Sequence, residues 1–124
     1  MTFEKLTVFR DTDITPKRSG PVPERVLSGN PKTRVWNHTS SHELATSAGL
    51  WEATPGAWRV TYTKWEFCHV ISGRGVLEDA NGARRDIGPG DAFVIEPGFE
   101  GVWSVTETMT KHYVIVNPPS AFAP

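Results

Sequence analysis

Three things are scarce in this sequence. Cys68 is its one cysteine, which excludes a disulfide framework within the chain and a four-cysteine zinc site. Neither sign of charge is in excess: thirteen Lys and Arg stand against fourteen Asp and Glu, a formal net charge of −1. A binder of nucleic acid or of an anionic membrane needs a local basic surplus, so neither partner is expected. Long apolar runs are missing too, and no segment reads as a bilayer-spanning helix. The opening stretch, MTFEKLTVFRDTD, is too charged for the core of a signal peptide, and a cytoplasmic location is expected.

Turn formers and indoles are plentiful. There are eleven glycines, ten prolines and five tryptophans among 124 residues. That length suits one domain with one core. Many Gly and Pro residues mean many turns, hence many short strands.

Along the chain, residues 1–34 are interrupted by Pro16, Pro21, Pro23 and Pro31. They read as an extended N-terminal arm with an edge strand at Lys5–Arg10. Residues 35–119 read as the folded domain, and residues 120–124 as a short tail. Ser41–Ser47 suits a single helical turn. From Ala57 onward the pattern is that of strands. Trp58, Val60 and Tyr62 share one face. Glu66–Ser72 and Gly75–Asp79 are further runs. Asn81-Gly82 signals a type I′ hairpin into Ala83–Ile87. Ala92–Ile95, Val102–Thr106 and His112–Val116 follow, with a turn expected at Thr108–Thr110. Short strands closed by Gly/Pro turns, with almost no helix, mean an all-β sandwich or barrel.

Four stretches carry a resemblance. They are Gly49-Leu50-Trp51-Glu52-Ala53-Thr54-Pro55-Gly56, Glu66-Phe67-Cys68-His69-Val70-Ile71-Ser72-Gly73, Gly90-Asp91-Ala92-Phe93-Val94-Ile95-Glu96-Pro97-Gly98-Phe99, and Gly101-Val102-Trp103 leading to Lys111-His112-Tyr113-Val114-Ile115. In this order and spacing, Gly49 to Val116 resembles the cupin superfamily. It is most similar to the small stand-alone cupins of the (S)-ureidoglycine aminohydrolase-like and ethanolamine-utilisation-like group. The resemblance implies a single-domain jelly-roll barrel, or double-stranded β-helix. It also implies one divalent metal held by His-x-His, a Glu and a later His. Glu66 stands in the place of that Glu, seven residues before Gly73. The two histidine places fall on Val60 and Tyr62, or on Arg59 and Thr61. The last falls on Gly101 or Val102. None of these is a histidine. A single carboxylate does not hold a transition metal. No cofactor is therefore expected, and Glu66 would be the one surviving ligand if a metal bound.

On its strand Glu66 should point inward, in phase with Cys68 and Val70. It is a candidate acid/base or ligand anchor; alternatively it is a structural carboxylate held by Tyr62 or a Trp N–H. Trp51, Trp58, Tyr62 and Trp103 are candidate cavity walls, suited to a small ligand with an amine or amide, or else plain barrel filling. A Gly101 in a histidine place would open space for Trp103 to close. His112 is a further candidate at the barrel mouth, whereas His69 should point outward. His38 and His42 are four apart, but on a segment that reads as a loop. Cys68 has no assured base and reads as a small core residue. Lys111 is read as an exposed ion-pair partner of Glu107. Three functions stay open: a cupin binding a small molecule in a degenerate metal site, an enzyme on a small nitrogen-containing or carboxylic metabolite with Glu66 as acid/base, and a structural protein with a filled barrel. A homodimer is expected, with the arm covering an unpaired sheet edge.

Overall fold

The computed structural model describes residues 4–11 and 14–118. The tail expected at residues 120–124 lies outside the described residues. Among the described residues nine strands form one curled antiparallel sheet, as expected of a single jelly-roll barrel. They are β1 (Lys17–Ser19), β2 (Val26–Gly29), β3 (Thr33–Ser41), β4 (Thr46–Ala53), β5 (Gly56–Thr61), β6 (Trp65–Asp79), β7 (Arg84–Ile87), β8 (Ala92–Ile95) and β9 (Glu100–Val116).

The frame is the pairing of β6 with β9, from Trp65↔Val116 to Asp79↔Gly101. On its other edge, β9 pairs with β5 through its first half and with β4 through its second. Likewise β6 pairs with β8 near its start and β7 near its end. Two long strands thus bind the short ones into one curved sheet. Its concave face collects Ala53, Trp58, Cys68, Val70, Ile87, Ile95, Trp103, Val105 and Met109 as the core.

Several expected breaks are continuous strand. The turn expected at Thr108–Thr110 is absent, because β-branched Thr suits a strand and Met109 is fully buried in the core. The gap expected near Gly73 is bridged instead by bulges between Val70 and Gly75. Gly73 has φ +88°, and a Cβ there would run into the Thr108 carbonyl of β9. Gly101 lies so close to β6 that a Cβ would run into the Glu78 carbonyl. Its missing side chain therefore permits strand contact and does not enlarge the cavity.

Other local readings change as well. The strand expected at Lys5–Arg10 is not formed. A short 3-10 turn occupies Phe9–Asp11, and the strand that the arm adds to β3 is β1. Within the arm, β1 and β2 add to β3 and β5. The helical turn expected at Ser41–Ser47 is a tight link between β3 and β4, reversed by Ala45 at φ +52°. The type I′ turn is not formed either, since Gly82 has positive φ but Asn81 does not. Asp79 accepts from Gly82 N at 3.1 Å, and its carboxylate accepts from Asn81 N and Ala83 N at 2.9 Å each. Asp79 thereby stabilises a turn with a single left-handed residue.

A paired substitution tests the β6 bulge. Gly73→Ala meets both a left-handed backbone and the Thr108 carbonyl, and should cost about 2–4 kcal/mol in urea unfolding. Gly82→Ala has the same backbone but open space around it, and should cost about 1 kcal/mol. Equal losses would contradict the close approach of β6 and β9.

Candidate functional site

Strand alternation carries one set of side chains into the concave face. Glu66 and Cys68 come from β6, Trp103, Lys111 and Tyr113 from β9, Trp58 and Val60 from β5, and Trp51 from β4. Tyr62 lies just past β5, fixed by its N–H to the Phe99 carbonyl at 2.9 Å and by Gly98 N to its own carbonyl at 2.7 Å. All of these except Cys68 line a cavity of about 510 Å³, together with Val35 and Asn37 of β3. A broader groove of about 790 Å³ lies along β7 and β8, and none of the expected site residues reaches it.

At the centre is a closed polar cluster. Lys111 Nζ donates to Glu66 Oε2 at 2.8 Å and to Cys68 Sγ at 3.2 Å. The Cys68 thiol donates to the same Glu66 oxygen at 3.3 Å. The ammonium also sits 4.6 Å from the ring centre of Trp51 and 4.8 Å from that of Trp103. The two charged side chains are only 3% and 11% exposed, so water screens the pair little. Burial alone pulls the Lys111 pKa down. The Glu66 carboxylate, by its charge and its hydrogen bond, outweighs that pull with the help of Cys68 and Tyr62, and the net shift is upward. Burial pushes the Cys68 thiol from 9.0 up to about 12, Lys111 opposing and Glu66 assisting. That thiol is a protonated core group, not a nucleophile.

Around the cluster the walls are aromatic. Trp51, Trp58 and Trp103 lie within 6.5 Å of one another, centre to centre. Trp103 Nε1 donates to the Tyr62 hydroxyl at 3.0 Å. Tyr113 donates to Asn37 Oδ1 at 2.8 Å. Burial raises both phenols from 10.0 to about 12.

Five of the six expected residues therefore meet at one cavity: Trp51, Trp58, Tyr62, Glu66 and Trp103. His112 does not. It alternates with the inward Lys111 and Tyr113, is exposed on the outer face, and meets Phe9 edge-on at 5.7 Å. His38, on β3, stacks on Phe9 at 4.6 Å. Glu66 is not held by Tyr62 or a Trp N–H; those two groups bond each other. Its partner is Lys111, which sequence reasoning placed on the surface beside Glu107. Glu107 instead faces Arg74 at 3.8 Å in solvent. The overlooked signal was phase: Trp103, Val105, Met109, Lys111 and Tyr113 are all odd-numbered, and the assumed turn broke that series.

A curled jelly roll with a carboxylate on the inner face of a long strand is what the cupin resemblance implies. The chain belongs to the EutQ-like cupin domain family, whose pattern matches residues 41–113. A protein of unknown function of the DUF861 family from Pseudomonas syringae pv. tomato is similar over 86% of this chain, at 27% identity and a TM-score of 0.77. The chain spans 46% of that protein's length. The Clostridium difficile EutQ protein is similar over 86% of this chain and 98% of its own, at 14% identity and a TM-score of 0.64. A predicted oxalate decarboxylase from Thermotoga maritima is similar over 91% and 99%, at 17% identity and 0.67. The last two likenesses concern the fold alone. No curated protein matches the chain.

The divalent metal implied by the cupin resemblance does not fit these residues. Among the described residues no three His, Cys, Asp or Glu side chains converge. The place beside Glu66 is filled by the Lys111 ammonium.

Two outcomes follow. Lys111→Met strands a buried carboxylate and should cost about 3–5 kcal/mol in urea unfolding, whereas Lys111→Met with Glu66→Leu should recover most of that loss. Additive losses would contradict the pairing. Alkaline stability follows from the raised pKa values of Cys68, Lys111, Tyr62 and Tyr113. A folded pKa above the unfolded value gives stability that is full below the unfolded pKa and lost as pH rises. The urea midpoint should therefore fall from pH 9.0 toward 12, and Cys68→Ala should delay the onset toward 10.0. A midpoint that holds or rises across this window would contradict the cluster.

Proposed function

We propose that this domain binds a small organic molecule inside the barrel, without a metal. The observation that supports it most is the cavity of about 510 Å³ walled by Trp51, Trp58, Trp103 and Tyr62 around one polar centre. Pockets for small molecules combine apolar and aromatic walls with a few fixed polar groups. The aromatic side chains supply apolar contact area. Tyr62 accepts from Trp103, which leaves its own hydroxyl hydrogen to donate. Glu66 Oε2 is already shared by Lys111 and Cys68, so the geometry favours Glu66 as a fixed anchor over a proton-transfer group.

The reading is tested on untagged protein by native mass spectrometry and by a fragment screen followed through tryptophan fluorescence. Expected is a bound small molecule, or fragment hits, whose affinity falls about tenfold or more in Val60→Trp, a variant that fills the cavity. An empty protein and no displaceable fragment would overturn it and leave the filled barrel.

A further inference from the structure

We propose that the Lys111 ammonium is the resident cation of this barrel, a tethered primary ammonium that fills the place beside Glu66 and makes the cluster selective against divalent metals. The inference does not depend on what the cavity binds. It rests on the contacts of one atom. Nζ has the Glu66 oxygen at 2.8 Å, the Cys68 sulfur at 3.2 Å and two indole faces at 4.6 and 4.8 Å.

Each contact suits an ammonium better than a metal. One carboxylate is a single anionic ligand, and transition metals need three or four ligands. The Cys68 sulfur accepts from the same ammonium and is already engaged with it. Indole faces attract a desolvated organic cation, and they offer no lone pair toward it. Charge balance points the same way. Lys111 and Glu66 offset each other's charge, and both side chains are largely buried. A divalent ion added there would lie beside a fixed positive charge, with no second carboxylate to compensate it. The tether also removes the entropy loss that a free cation would suffer on binding.

The test has two arms. First, untagged wild-type protein is dialysed against Zn²⁺, Mn²⁺ and Ni²⁺, and retained metal is measured by elemental analysis. No stoichiometric uptake is expected. One metal per chain, lost in Glu66→Gln, would overturn the proposal. Second, Lys111→Ala is titrated with propylammonium, the fragment that the substitution removes, and with 1-propanol as the uncharged match. A saturable rise in the urea midpoint with propylammonium alone is expected. Equal effects of the two, or none, would overturn it. If Lys111→Ala folds too poorly to titrate, the wild-type dialysis decides.

Discussion

A carboxylate and an ammonium 2.8 Å apart, walled by indoles, set the terms for the rest of this barrel. Removing either charge from water alone costs several kcal/mol, so each requires the other in place. Their strands must therefore keep register: β6 supplies Glu66 and Cys68, and β9 supplies Lys111. A slip of one residue would send Lys111 outward and His112 inward. The indoles then serve two purposes. They exclude water from the pair, and their faces share the charge of Lys111.

The long β6–β9 pairing makes that register possible. Bulges near Gly73 let β6 change phase midway, so that Glu66, Cys68 and Val70 face the core before the bulge and Leu77 packs against it afterward. The same frame holds Tyr62 at the cavity edge through backbone bonds from the 98–99 turn. The frame does not decide the chemistry, which depends on the few side chains at the centre.

Much of this was legible in the residues. Alternation placed Trp58, Val60 and Tyr62 on one face, and Glu66, Cys68 and Val70 on another that turned out to meet it. Gly/Pro turns marked an all-β fold. What was hidden depended on continuity. Thr108–Thr110 looks like a turn when read alone, and only tertiary pairing shows that it stays extended around a buried Met109. With the turn assumed, Lys111 lost its inward phase and His112 gained an ambiguous one. A lysine also reads as a surface residue by default, because burial is rare without a partner. Its partner lies 45 positions away in the chain. The arm was similarly opaque: nothing local shows that Lys17–Ser19, and not Lys5–Arg10, takes the β3 edge.

The central claim is that Lys111 is a charged, buried ammonium bonded to Glu66. Side-chain ¹⁵N NMR of the lysine ammonium groups tests it most directly, because exposed ammonium protons exchange too fast to persist in mildly alkaline buffer. The account predicts one protected ammonium resonance that remains visible when the others have vanished, and that is lost in Lys111→Met. Uniform disappearance of all lysine ammonium signals, or a protected neutral amine at Lys111, would contradict it.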